Sequence, residues 1–210
     1  MSETYPLSLP ADGAITAIRL VKRRAQAAHE NAFTLAEDIY DYPGRQWVAQ
    51  VSLRRMSAAE AKVWSAFFAR LDGRVGTFLL GSQLKAQPNG NPAGTPRVKG
   101  AGQKGGELLT DGWTPDAPLV LAAGDHIQIG SGLAARLYEV KEDVSADAIG
   151  EATLKLWPRL YFAHADDEPI VTEDAKGLFR LDQSDDSSDE TRRKWIDGVS
   201  FTAKSVIDAP

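Results

Sequence analysis

The 210-residue chain has no cysteine, only three histidines and no excess of positive charge. Without cysteine there are no disulfides, thiolate metal sites or thiol nucleophile, which fits a chain made in a reducing cytoplasm. No apolar run approaches the roughly 20 residues that span a bilayer as a helix. The opening stretch from Met1 to Pro6 lacks the basic segment and apolar run of a secretory leader. These features predict a soluble protein, cytoplasmic at synthesis, with no membrane insertion. A net charge of −5 and a pI near 5.3 give no general affinity for phosphate backbones, so direct nucleic-acid binding is not expected.

The motifs of catalysis and cofactor binding are also thin. Gly100 to Gly105 matches G-x-G-x-x-G, but a dinucleotide site needs a buried strand before it and a helix after it. Thr95 to Lys99 before and Gly106 to Gly112 after supply neither. His29, His126 and His164 fit no H-E-x-x-H and no helical zinc spacing, and no G-x-S-x-G nominates a serine. All three histidines are expected at the surface; on its strand His126 shares a face with Gln128, opposite Ile127 and Ile129. Counted as an EF-hand from Asp182, the acidic run puts Ser187 where glycine is needed and Arg193 where a bidentate glutamate is needed. Asp166, Asp167 and Glu168 offer adjacent carboxylates, as a glycoside hydrolase would need, but sit before Pro169 in a polar connector and read as exposed linker acids. No catalytic, cofactor-binding or metal residue is therefore assigned, and an enzyme is not expected.

What is present is period-two alternation, the pattern of half-buried strands. Trp47, Ala49, Val51 and Leu53 share one face. Val199, Phe201 and Ala203 alternate with Ser200, Thr202 and Lys204. Further strands are expected at Ala14–Val21, Phe33–Tyr40, Val75–Leu80, His126–Ile129, Ala134–Val140, Ala152–Trp157 and Gly177–Leu181. One helix interrupts them. Ser57 and Glu60 form a capping box, Trp64, Phe67, Phe68 and Leu71 follow at i, i+3, i+4 and i+7, and Gly73 supplies the stop. Trp47 and Trp64 read as core, whereas Trp113 and Trp195 stand beside loop signals and are the tryptophans that could be exposed for binding. Arg19, Lys22, Arg23 and Arg24 read as the charged outer face of a strand.

Gly81–Gly106 is rich in glycine and proline and nearly free of apolar side chains, so a long exposed loop or crossing is expected there. About five short strands then follow in about 55 residues, the density of a small barrel of OB type. The expected fold is mainly β: a β-sandwich carrying one α-helix, discontinuous over 1–84 and 169–210, with an OB-like β domain inserted at 85–168 behind its Gly/Pro-rich lead-in loop. Asp182–Lys194 reads as a solvated charged loop.

Two stretches together resemble a known family. One runs from Arg45-Gln-Trp47 through the helix Ser57–Phe68 to Gly73–Gly81. The other comprises Ala123–Gly130, Ala135–Val140 and Gly150–Leu160. They are similar to the distal tail proteins of long, flexible-tailed bacteriophages. The resemblance implies a helix-bearing β-sandwich assembled as a hexameric ring at the virion tail tip, between the tail tube protein and the hub or baseplate proteins, with some members carrying an OB-like insertion. It brings no catalytic residues. On that reading the outer strands Ala14–Val21 and Val199–Ile207 are expected at the subunit edge, with Arg23 and Arg24 facing the acidic loop Asp182–Glu190 of a neighbour. The alternative, from another class, is a carbohydrate-binding module touching the host surface through loop aromatics; a tail-associated hydrolase stands behind both.

Overall fold

Ser57 opens the helix as its neighbours require. Its hydroxyl accepts the Glu60 N–H at 3.4 Å, and the Glu60 carboxylate accepts the Ser57 N–H at 2.8 Å. This satisfies two backbone donors that a helix start leaves free. In the computed structural model, which describes residues 3–11, 13–182, 191–192, 195–196 and 200–207, the helix α1 spans Ala58–Leu71. Its C-cap is Asp72, left-handed at φ 49°, with the expected Gly73 also left-handed at φ 60° beside it. Trp64, Phe67, Phe68 and Leu71 are all buried. The rings of Phe67 and Phe68 meet Phe78 and Phe201 edge to face, at 5.7 and 5.2 Å, so the helix packs on the strands that carry them.

The strands are β1 Ile15–Glu30, β2 Glu37–Leu53, β3 Met56–Ser57, β4 Phe78–Leu80, β5 Gly94–Val98, β6 Gly105–Trp113, β7 His126–Ile129, β8 Arg136–Val140, β9 Ala152–Leu160, β10 Ile170–Val171, β11 Gly177–Leu181, β12 Thr191–Arg192, β13 Trp195–Ile196 and β14 Ser200–Ser205. The fold is mainly β, as the alternation predicts. A five-stranded antiparallel sheet has the order β1-β2-β14-β11-β4, and a small three-stranded one the order β12-β13-β3. Both chain ends thus join one sheet. β14 lies in its middle, between β2 and β11, so the expectation that Val199–Ile207 supplies an outer edge is corrected; β1 does lie at an edge.

The second large sheet has the order β10-β7-β8-β9-β6-β5. Arg97 bridges Pro169, and Val98 exchanges backbone hydrogen bonds with Glu168 and Asp167. These contacts bring β5 to β10, so the sheet curls into a nearly closed barrel around Val98, Leu108, Ile127, Ile129, Val140 and Leu154. The long exposed loop expected at Gly81–Gly106 is corrected here, because β5 lies inside it with Pro96 and Val98 buried. Only two buried side chains, one of them proline, carry the strand pattern, too few for alternation to register. At Gly112 φ is 76° and a Cβ would stand 2.3 Å from Thr95 O, so only glycine lets β6 pass β5 this closely.

The expected strand Phe33–Tyr40 is also revised. Asn31 Oδ1 accepts the N–H groups of Phe33 and Thr34 at 2.9 and 3.2 Å, closing a turn through residues 31–36. The chain then runs unbroken from Glu37 to Leu53, so the two strands expected there are one.

Candidate functional site

Two places gather the chemistry of this molecule: a half-buried ionic junction between the large sheets, and a two-stranded arm that leaves the first of them.

The junction is built on Trp47 of β2 and Trp157 of β9. Their rings meet edge to face at 4.3 Å, and the Trp47 indole N–H donates to Leu137 O at 3.0 Å. Glu139 of β8 lies beside them with 12% of its side chain exposed. It accepts from Lys22 of β1 and, at 3.0 Å, from Lys85. His126 Nε2 approaches it at 3.4 Å. Burial alone would raise the Glu139 carboxyl, but the nearby His126 ring and the hydrogen bonds from Lys22 and Lys85 overcome it and hold the group at about 2. Burial holds His126 below its ordinary value, with Glu139 partly opposing. Lys22 also lies 5.6 Å from the Trp157 ring centre and 6.0 Å from that of Trp47. These partners clamp the barrel to the sheet.

The arm begins where β1 and β2 outrun the rest of their sheet. Beyond the pair Arg24–Arg45 the register shifts, and a ladder from Gln26–Asp41 to Glu30–Glu37 continues with no other strand beside it among the described residues. Every residue from 22 to 43 is exposed, including Phe33 at 97%, Leu35, Ile39, Tyr40 and Tyr42. The root is braced from the barrel side. The Tyr161 hydroxyl accepts the Arg45 N–H and lies 2.8 Å from Pro43 O.

Below the root is an open hollow on the barrel, lined by Lys104, Gly106, Glu107, Lys141 and Lys155. Partial burial holds the Lys141 amine below its ordinary value, and the charges of Arg45 and Arg24 lower it further. Arg45 pairs with Asp41 at 2.6 Å and Lys155 with Glu142 at 2.9 Å. Lys104, Lys141 and Arg24 have no ion-pair partner among the described residues.

The residues singled out in the sequence distribute as follows. His29 is exposed on the arm, as expected. His126 and His164 are buried, at 2% and 6% exposure, which corrects their surface assignment. The side of β7 that looked solvent-facing is covered by the first sheet. His164 sits 3.2 Å from the Tyr138 hydroxyl and 2.9 Å from Glu168 Oε2, and burial raises the Tyr138 phenol. Glu168 is therefore a structural partner, whereas Asp166 and Asp167 are exposed. Trp113 is buried with its indole N–H on Thr110 Oγ1 at 2.8 Å, so it is no exposed binding aromatic; the side chain of Trp195 lies outside the described residues. Lys22 turns inward to Glu139, unlike the outer-face position expected of it. Gly100–Gly105 forms the β5–β6 hairpin loop, with no helix after it. Of the acidic run, Asp182 pairs with Lys204; the rest, and with it the contact expected of Arg23 and Arg24, lies outside the described residues. Among the described residues no group of three or more His, Asp or Glu is placed to hold a metal ion, and no helix is long and apolar enough to cross a membrane. The arm itself was not singled out. The signal that could have found it is the stretch between Arg24 and Arg45, which has four carboxylates and no lysine or arginine.

No protein-family model matches the chain, and no curated protein matches it.

Proposed function

We propose that the chain is a structural subunit of a bacteriophage tail tip, closing into a hexameric ring between the tail tube protein and the tip hub. The observation that carries this reading is the arm. A two-stranded ribbon in water is marginal at best, and this one is made in part of poor strand formers. Residues 25–30 read Ala-Gln-Ala-Ala-His-Glu, types that favour helix or are neutral. Neither face of it is buried on its own subunit. Such an element gains its stability by lying against another subunit, and a contact from a protruding arm to a different patch on the neighbour is heterologous, the kind that closes rings. The helix-bearing sheet with an inserted small barrel accords with the resemblance to distal tail proteins.

The test joins Arg24 to Arg45 through Asn-Gly, a two-residue hairpin turn that suits directly paired residues. Mass by size-exclusion chromatography with light scattering should be hexameric for the full chain and monomeric for the armless variant, with unchanged urea unfolding of the remaining fold. A full chain that stays monomeric at every concentration, and that tail tube protein does not recruit, rules the reading out.

A further inference from the structure

The arm and the hollow carry opposite charge, and neither is fully neutralised by the described residues of its own molecule. From Ala25 to Gly44 there are Glu30, Glu37, Asp38 and Asp41 and no lysine or arginine, a formal charge of −4. Among the described residues only Asp41 of these has a cation, Arg45. Glu30 and Glu37 stand directly opposite each other in the ladder, a like-charge cross-strand pair that destabilises an isolated ribbon. On the barrel, Lys104 and Lys141 have no ion-pair partner among the described residues and outnumber Glu107 in the lining, while Arg45 and Arg24 at the root of the arm add positive charge near Lys141. Each cluster is unfavourable alone and favourable against the other.

The two clusters cannot meet within one subunit. Arg24 and Arg45 are the root of the arm, and their charges act on Lys141 in the hollow below. From Arg24 the strand runs six residues outward to Glu30, roughly 20 Å at about 3.3 Å per residue. Folding Glu30 back would break the ladder, so an arm that reaches such a hollow comes from another copy.

We propose that the acidic arm of one copy lies in the hollow lined by Lys104 and Lys141 of the next. This rests on the ring reading above and names its interface. Ile39 and Tyr40, on opposite faces of the ribbon, are covered or left open according to how the arm is rolled, while Glu30, Glu37 and Asp38 supply the ionic contacts. The contact repeats head to tail, so each subunit gives one arm and receives one.

The test reverses charge on each side and then recombines the halves. The arm variant carries Glu30→Lys, Glu37→Lys and Asp38→Lys; the hollow variant carries Lys104→Glu and Lys141→Glu. All five positions are surface sites and leave the fold intact, which circular dichroism checks. Each variant alone should need at least tenfold more protein to assemble than the natural chain, and salt at ~0.5 M, where the screening length is about half its physiological value, should weaken the natural ring in the same direction. Mixed one to one, the two variants should assemble again, because every arm then finds an opposite hollow in an alternating ring. A single chain bearing all five changes should assemble by itself. If both variants assemble like the natural chain, or if neither mixing nor the fivefold variant restores assembly, this contact is wrong while the ring stands. If the natural chain is monomeric throughout, both fall.

Discussion

Replacing Glu139 by glutamine tests whether the ionic junction holds the barrel to the first sheet. The carboxyl is held at about 2 against an ordinary 4.5. That is about 2.5 pH units, which at ~1.4 kcal/mol each is about 3 kcal/mol of stability at neutral pH. Its two lysine partners are each 40% exposed, so water competes for them and the effective loss is nearer ~2 kcal/mol. A depressed carboxyl contributes fully above 4.5, and the contribution disappears as pH falls from there to about 2. His126 is held below its ordinary 6.5, so the unfolded chain takes up that proton first and stability also falls as pH drops below 6.5. Glutamine mimics the protonated glutamate and also removes the charge that partly opposes the lowering of His126, so the histidine effect should persist and deepen. Urea midpoints at neutral pH should therefore place Glu139→Gln about 2 kcal/mol below the natural chain, with the gap closing as pH approaches 2. A gap under about 0.5 kcal/mol at neutral pH, or one that persists unchanged in acid, would refute the reasoning.

Other substitutions probe the elements that hold the arm and barrel in place. Phe67→Ala removes a buried ring from the helix–sheet contact and should lower stability by about 3–5 kcal/mol in urea unfolding; a midpoint that does not move would show the stripe is open to solvent. Ser57→Ala deletes one half of the capping box and should cost about 1 kcal/mol, read as a drop in Tm of several degrees. Gly112→Ala forces a Cβ against Thr95 O at a left-handed position. It should cost upwards of ~1 kcal/mol and speed hydrogen exchange in β5 before it does so in β8.

The helix was legible because three signals coincide there: the cap, the aromatic stripe and the left-handed stop. The strand pairs were legible where one face is apolar and the other polar, as in β2 and β14. Two of the errors share a physical cause. Period-two alternation separates two faces of a strand but says nothing of what covers each. His126 and Lys22 lie on faces that a sequence assigns to water, and both are turned toward a second sheet. Trp113 failed differently: it stands beside loop signals, yet it is buried with its indole satisfied by a threonine hydroxyl. β5 was hidden because its glycines and prolines read as punctuation, although proline is tolerated at a strand whose N–H faces no partner.

The arm is the instructive miss. Local preference, burial and pairing agree nearly everywhere in this chain, and they part company between Ala25 and Gly44. A segment of helix-tolerant residues is held extended, with apolar rings in water and two glutamates set face to face. Sequences that specify their fold violate such rules chiefly where function requires it. Here the violation is stabilised at its root alone, by Tyr161 from the barrel and by the Lys22–Glu139 contact one turn of the ladder below. Both anchors come from the second sheet, so the direction in which the arm points is set by how the barrel is seated on the first sheet. Closing a ring fixes the angle between neighbours, and an arm hinged on a single sheet would leave that angle loose. In the proposed ring the inserted barrel thus has two tasks, receiving a neighbour's arm beside Lys104 and Lys141 and acting as the buttress that aims its own subunit's arm.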